Sequence, residues 1–224
     1  ISHDTLAATR EGFAALVAMT AGTGPDSVSV NEVAVEGPHG SVPVRIHRPD
    51  RDAGARGGVL FVHGGGWTIG SAAAYDPIAN IVADGADVVV ASVDYRLAPE
   101  HPFPAPLDDC WEALSWLAAN AESLGVDPTR LAVMGDSAGG NLSAVLAQRA
   151  RDAGGPALRL QVLVYPVTDA DLDRDSYLEN ATGYFLERDT MRFFWDCYTA
   201  EGADPADPRL SPLRATSFAG LPPA

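Results

Sequence analysis

A serine stands in the middle of a glycine-rich segment whose pattern can support nucleophilic chemistry. Ser137 lies within Gly135-Asp-Ser-Ala-Gly139, and such a G-x-S-x-G pattern forms a nucleophile elbow only where a strand enters it and a helix leaves it. Both are predicted here, because Leu131–Met134 is a short apolar run and the segment after Ala138 has an apolar helical face. The tight turn excludes side chains at both glycines and presents the hydroxyl at a helix N-terminus. A plain glycine-rich strand–helix turn is the alternative.

A second glycine-rich segment, His63-Gly64-Gly65-Gly66-Trp67, follows the apolar run Val59–Val62. Consecutive glycines let the main chain approach a bound molecule and turn N–H groups toward a developing oxyanion. A phosphate-binding loop is the alternative, but the segment lacks both the lysine and the G-x-G-x-x-G spacing of such loops. His63 could act as a catalytic base or hydrogen-bond the loop into shape. Its place at a strand end, directly before the glycines, favours the supporting role.

The chain lacks an obvious base for the serine. Elbows of this kind are followed along the chain by an acid and then by a histidine, and the five histidines all precede Ser137: His3, His39, His47, His63 and His101. Without an imidazole, Ser137 keeps its proton at neutral pH and is a weak nucleophile. The later carboxylates Asp169, Asp189 and Asp196 cannot replace that base. These residues alone are therefore expected to be nearly inert.

Composition excludes several classes of function. The net charge is −15 and all fifteen basic residues are arginine, so neither nucleic acid nor an anionic membrane is a predicted partner. The absence of lysine excludes Schiff-base chemistry and pyridoxal phosphate. Cys110 and Cys197 belong to no metal or redox motif and are expected to be free thiols, so we predict no metal and no cofactor. No apolar run is long enough to span a bilayer, and Ile1–Ala21 lacks the features of a signal peptide, which together predict a cytoplasmic location.

Apolar runs and helical patterns alternate along most of the chain. The strands are predicted at Val28–Val35, Val42–Ile46, Val59–Val62, Asp87–Val93, Leu131–Met134 and Leu160–Tyr165, the first two as a hairpin that Pro49 ends. The helices are predicted at Thr5–Met19, Tyr75–Asp84, Pro106–Leu124 and Ala138–Asp152. This alternation favours an α/β fold with a mostly parallel sheet and helices on both faces. The aromatic stretch Asp175–Ala200 is either core packing or a lid over the carboxyl edge of the sheet.

Four segments together resemble the bacterial hormone-sensitive-lipase-like carboxylesterases, and the likeness runs from about Val59 to the C-terminus. They are His63-Gly-Gly-Gly66-Trp67, Asp94-Tyr-Arg-Leu-Ala-Pro-Glu100, Pro102-Phe-Pro-Ala-Pro106 and Gly135-Asp-Ser-Ala-Gly-Gly140. The resemblance implies a single α/β-hydrolase domain over residues 1–224, with a helical cap formed by residues 1–22 and 175–206. It also implies hydrolysis of short- to medium-chain esters through an acyl-enzyme on Ser137. Gly65, Gly66 and Ala138 would supply the oxyanion-hole N–H groups, while His63 and Gly64 would support the loop. A homodimer is common in that family.

The missing histidine leaves two hypotheses. In the first, the sequence is C-terminally incomplete and the triad Asp and His lie beyond Ala224, whether on the same chain or on a complementing fragment. In the second, a hydrolase fold with a dead triad binds a small apolar ligand. Truncation is favoured, because a sheet ending here would expose an apolar edge. Within the enzyme class, an esterase is favoured over a true lipase, and amide hydrolysis stays open because it uses the same machinery.

Overall fold

A six-stranded sheet forms the centre of the computed structural model, which describes residues 1–199 and 202–224. The strands lie in the order β1-β2-β4-β3-β5-β6. Strands β4, β3, β5 and β6 are parallel, and β2 is antiparallel to both of its neighbours. The predicted mostly parallel sheet is therefore confirmed. The strands are β1 Val28–Gly37, β2 Gly40–Pro49, β3 Arg56–Val62, β4 Val88–Val93, β5 Val126–Asp136 and β6 Leu158–Val164.

Six α-helices connect or flank these strands in the described residues. They are α1 Leu6–Ala21, α2 Asp76–Ala86, α3 Ala105–Ala119, α4 Ala138–Ala153, α5 Asp175–Glu179 and α6 Arg188–Tyr198. Single turns of 3-10 helix lie at His3–Thr5, Ala73–Tyr75, Glu122–Leu124 and Pro212–Arg214. None of the helices in the described residues combines the length and the apolar character that crossing a bilayer requires.

The sheet is covered on both faces, as predicted, because its central strands are apolar at almost every position. In β3, Leu60 and Val62 pack into the larger core with α3 and α4, whereas Phe61 points to the opposite face and packs with Tyr75 and α2. Successive strand residues face opposite sides of a sheet. A strand buried on both sides must therefore be a continuous apolar run, and this is the pattern that its sequence shows.

Two predicted boundaries are wrong by five residues each. The helix predicted to run to Leu124 ends at Ala119, because the Asn120 main-chain and side-chain N–H groups both donate to the Trp116 carbonyl. A 3-10 turn follows, and Gly125 is left-handed at φ 62°. Strand β5 begins at Val126 rather than Leu131. Its first half is polar and carries no apolar pattern, but the chain is already beside β3 there, since Val126 pairs with Arg56.

The segments predicted to form a cap contain three helices. Residues 1–22 hold α1 and residues 175–206 hold α5 and α6, while positions 200 and 201 lie outside the described residues. Helix α6 packs firmly onto the core, with Phe194, Trp195 and Tyr198 buried. Helix α1 buries only Leu6 and Val17. Their function as a cap, and the division of the chain into cap and core, stay predictions.

Packing beneath the serine-bearing turn should dominate local stability. Leu142 is completely buried in the first turns of α4, so we expect Leu142→Ala to lower the free energy of unfolding by about 2–5 kcal/mol through lost apolar burial and a residual cavity. Met19, on α1, is 76% exposed, and Met19→Ala should change the free energy by less than about 0.5 kcal/mol. Urea unfolding followed by circular dichroism measures both values. Equal effects of the two substitutions would contradict this packing.

Candidate active site

Ser137 lies at the sharp turn between β5 and α4, with a backbone conformation of φ 52° and ψ −118°. A positive φ is costly for a residue with a side chain and persists only where the surroundings enforce it. Here the close approach of the turn to the end of β3 holds Ser137 in this conformation. A Cβ atom at Gly139 would overlap the Val62 carbonyl oxygen, and one at Gly135 would overlap the Gly139 carbonyl.

Main-chain hydrogen bonds fix the turn from the next strand. The Ser137 N–H donates to the Val164 carbonyl at 2.9 Å, and the Ser137 carbonyl accepts from Asn141 at 3.0 Å and from Val167 at 3.3 Å. Both main-chain polar groups of the residue are thus satisfied. The side chain of Ser137 is left to line a cavity of about 1050 Å³.

The glycine loop lies at the same cavity. Gly65 and Gly66 both have positive φ, 121° and 56°, and both line the cavity together with Ser137. The Gly65 carbonyl closes the turn by accepting from the N–H groups of Thr68 and Ile69. Within residues 1–199 and 202–224, no hydrogen bond uses the N–H of Gly65, Gly66 or Ala138 as its donor. Those three groups are the predicted oxyanion-hole donors. Gly65 and Gly66 line the cavity, whereas Ala138 is completely buried and is not among the residues that line it.

His63 lies buried beneath this loop. Its Nδ1 donates to the Gly64 carbonyl at 2.7 Å, and the Tyr95 hydroxyl donates to the His63 carbonyl at 2.9 Å. The two rings stack with their centroids 4.3 Å apart. Burial lowers the pKa of His63, so the neutral imidazole predominates at neutral pH. This geometry fits the predicted supporting role, although the role itself stays a prediction.

Sequence reasoning missed two residues at the site. The Asp136 carboxylate accepts the Gly64 N–H at 2.9 Å and the Tyr75 hydroxyl at 3.1 Å. A charged residue just after the apolar run Leu131–Met134 was a signal for Asp136. No sequence signal pointed to Tyr75, which precedes α2 and reaches the site only through the fold.

The cavity wall comes largely from the predicted cap segments. Helix α1 contributes Phe13 and Leu16, and α6 contributes Met191 and Phe194. The remaining wall includes Ile69, Tyr165, Pro166, Val167, Thr168, Asp169, Arg174, Tyr177, Tyr184, Phe185 and Leu186. Apolar surface dominates this lining, which is typical of sites for uncharged organic ligands.

Of the later carboxylates Asp169, Asp189 and Asp196, Asp169 alone reaches the cavity wall. Burial raises the pKa of its carboxyl, but hydrogen bonds from Arg174 and Arg214 outweigh this and hold the pKa below its usual range. Paired in this way, Asp169 is a structural anchor for the loop after β6. Asp189 and Asp196 are exposed on α6.

Within the described residues, Ser137 has no imidazole partner. His63 is committed to its own loop, and His47 is buried on β2, where its Nδ1 lies 2.8 Å from the Asn80 side-chain oxygen. His3 packs against Phe193, and His39 and His101 are exposed. No group of three or more His, Cys, Asp or Glu side chains in the described part of the chain is arranged to hold a metal ion. Cys110 and Cys197 are free and buried.

Arg10 ties α1 to the glycine loop. Its Nε donates to the Thr68 carbonyl, and its remaining N–H groups reach the Ala98 carbonyl and both Glu100 carboxylate oxygens. The Arg10 guanidinium lowers the pKa of Glu100 to about 2. One side chain therefore fixes a cavity-lining helix to the loop that carries Gly65 and Gly66.

The sequence is similar to those of known proteins. The sequence family described as the α/β-hydrolase fold matches residues 59–224. The chain is 49% identical over 187 residues to carboxylesterase NlhH of Mycobacterium tuberculosis, covering 82% of this chain and 58% of that protein. It is 42% identical over 203 residues to the ethyl acetate hydrolase of Pseudomonas putida, covering 89% of this chain and 64% of that protein. The chain thus spans about three fifths of the length of these relatives.

Solved structures of two ester hydrolases have a backbone similar to that of this chain. An ester hydrolase from the metagenome of Lake Arreo, complexed with a bipyridine phosphonate derivative, superimposes with a TM-score of 0.92 at 41% identity, covering 98% of this chain and 70% of that chain. An esterase of the archaeon Pyrobaculum calidifontis superimposes with a TM-score of 0.90 at 36% identity, covering 98% of this chain and 72% of the other.

The Arg10–Glu100 contact predicts a small, pH-dependent contribution to stability. The pKa of Glu100 falls from 4.5 to about 2 on folding, so its contribution is complete above pH 4.5 and is lost as the pH falls toward 2. Because Glu100 is 54% exposed, solvent screening limits the loss in Glu100→Gln to less than about 1 kcal/mol at neutral pH. Urea midpoints at neutral and acidic pH test this. Glu11→Gln is the control, since Glu11 neighbours Arg10 and makes no ion pair within the described residues.

The space around each glycine predicts different effects for two alanine substitutions, one at the serine turn and one in α2. Gly139→Ala should lower the thermal midpoint by several degrees, because its Cβ has no space beside the Val62 carbonyl. A Cβ atom added at Gly85, in the last turn of α2, would meet no other atom within 4 Å. Gly85→Ala should therefore be neutral or stabilise by about 0.5–1 kcal/mol. A Gly139→Ala protein as stable as the unmodified one would contradict the proposed crowding.

Proposed function

Because the chain belongs to the α/β-hydrolase family, within its hormone-sensitive-lipase-like carboxylesterase group, we propose that it carries the nucleophile and the oxyanion hole of a serine carboxylesterase. The observation that carries the proposal is the convergence at one cavity of the Ser137 side chain with the glycine loop, whose N–H groups at Gly65 and Gly66 are free within the described residues. Relatives named as carboxylesterases and ester hydrolases support the same chemistry.

In the proposed reaction the Ser137 oxygen attacks the ester carbonyl carbon, and the carbonyl oxygen becomes an oxyanion. The N–H groups of Gly65, Gly66 and Ala138 donate to that oxyanion, a kind of contact whose loss typically costs about 10²–10³ in kcat. Collapse of the tetrahedral intermediate releases the alcohol and leaves the acyl group on Ser137. Water then attacks the acyl-enzyme, releases the carboxylic acid and regenerates the serine.

Proton transfer in this scheme needs an imidazole, which takes the Ser137 proton and gives it to the leaving alcohol. None of the described histidines is placed to do so. We propose that the triad Asp and His lie beyond Ala224 in the order Ser, acid, His. The chain's span of about three fifths of its relatives' length leaves room for them.

The substrates are proposed to be short- to medium-chain carboxylic esters. The apolar wall formed by Phe13, Leu16 and Met191 suits an uncharged acyl or alcohol group. In this proposal residues 1–22 and 175–206 act as a cap that excludes water from the acyl-enzyme. The alternative, an inactive module that binds a small apolar ligand, receives no support from the carboxylesterase relatives. A homodimer, a complementing C-terminal fragment and a cytoplasmic location stay predictions.

The full-length protein should hydrolyse p-nitrophenyl acetate or butyrate, and Ser137→Ala should lower kcat by about 10⁴-fold or more, because the attacking oxygen is removed. Ser143→Ala is the matched control. Ser143 lies on the same helix, and its buried hydroxyl has no hydrogen-bond partner within residues 1–199 and 202–224. Its removal should leave kcat unchanged and should not destabilise the fold.

A fluorophosphonate probe provides a second measurement. It should label the unmodified protein and Ser143→Ala, and mass spectrometry should place the adduct on Ser137. Full hydrolytic activity in Ser137→Ala would refute the proposed nucleophile. An unlabelled, inactive full-length protein would favour the binding-module alternative instead.

A further inference from the structure

The geometry of the Asp136 carboxylate points to a function that the nucleophile and the oxyanion donors do not account for. We propose that Asp136 is a positioning residue, which clamps the glycine loop to the serine turn and so sets the distance between the oxyanion donors and Ser137. One carboxylate oxygen accepts the Gly64 N–H at 2.9 Å, and the other accepts the Tyr75 hydroxyl at 3.1 Å. The proposal rests on the proposed function, since it concerns the geometry of the same site.

The clamp joins two segments at the point where the sheet stops holding them together. The last paired residues of β3 and β5 are Val62 and Gly135. Beyond them, the loop carrying Gly65 and Gly66 and the turn carrying Ser137 are no longer coupled by strand pairing. Asp136 directly precedes Ser137 in the chain, and Gly64 directly precedes Gly65. A hydrogen bond between Asp136 and Gly64 therefore restrains two catalytic segments that are each only one residue away.

The fit is tight enough to explain the first glycine of the loop. A Cβ atom at Gly64 would overlap the Asp136 carboxylate. The other two glycines have different constraints, since a Cβ at Gly65 would meet the Ile69 carbonyl and one at Gly66 the Phe194 ring. Gly64 is therefore required by the clamp, whereas Gly65 and Gly66 are required by the turn and by α6.

The charge of Asp136 is costly where it lies. Burial raises the pKa of Asp136, and its two hydrogen bonds only partly offset this. The titratable groups that face it are Tyr75, Tyr95, Tyr165 and the nearby His63. Burial raises the pKa of each tyrosine and lowers that of His63, so all four are neutral at neutral pH. Within the described residues, no arginine forms an ion pair with Asp136.

The raised pKa of Asp136 makes the stability of the fold depend on pH. A carboxyl whose pKa is raised by folding contributes most to stability below its unfolded pKa, and stability falls as the pH rises through its folded pKa. An ionised Asp136 is therefore a destabilising residue at neutral pH. Such a residue is expected at a site where geometry for catalysis outweighs stability.

The test uses substitutions at the clamp in the full-length protein. Asp136→Ala removes the acceptor and should lower kcat about 10²-fold with KM nearly unchanged, since only transition-state contacts are lost. Asp136→Asn keeps an oxygen for Gly64 and an amide for the Tyr75 hydroxyl, so it should recover most of kcat and be more stable than the unmodified protein at neutral pH. Asp127→Asn is the control, because Asp127 is a carboxylate at the far, exposed end of the same strand.

Inhibition by a boronic acid separates positioning from general loss of structure. This transition-state analogue should bind Asp136→Ala more weakly, in parallel with kcat/KM, while KM stays constant. Tyr75→Phe, which loses one of the two hydrogen bonds and keeps the ring, should show a smaller effect of the same kind. An Asp136→Ala protein with unchanged kcat, or with equal losses in substrate and boronate binding, would overturn the clamp. An unmodified protein without esterase activity would instead refute the proposed function.

Discussion

The close contact between the serine turn and the end of β3 determines most of this site. Gly139 lies against the Val62 carbonyl with no space for a Cβ atom, so α4 can begin directly above the strand. That position fixes Ser137 in a conformation of positive φ beside the glycine loop, which continues from the same strand. Without the contact, neither the strain at the serine nor its proximity to the free N–H groups would persist.

Strain of this kind, of order 1–3 kcal/mol per residue, needs rigid surroundings. Helix α4 is buried along most of its length, and Asn141 in its first turn donates to the Val167 and Leu210 carbonyls. The adjacent strand contributes the bond from the Ser137 N–H to the Val164 carbonyl. The turn is thus held by the end of β6 with the residues directly after it, and by the segment around Leu210.

Patterns local in the chain were predictable, and contacts between distant segments were not. Short apolar runs predicted the buried strands, and the glycines around Ser137 predicted the elbow, because each depends on neighbouring residues only. The end of α3 depended on the Asn120 cap, and the polar start of β5 depended on pairing with Arg56. The Tyr75–Asp136 contact joins residues 61 positions apart. Nothing in the composition around Tyr75 could reveal it.

An ionised Asp136 carboxylate beside the proposed oxyanion hole would ordinarily oppose the proposed reaction, since like charges repel. However, the N–H group of the loop that binds Asp136 is not one of the proposed oxyanion donors. The Gly64 N–H, together with the Tyr75 hydroxyl, is committed to the Asp136 carboxylate, whereas the N–H groups of Gly65 and Gly66 are committed to nothing within the described residues. Donors held in place in advance also need no reorganisation during the reaction, which is where preorganised sites gain most over water. In the proposed function, the stability lost by burying Asp136 is the cost of a loop that already has its working geometry before the ester binds.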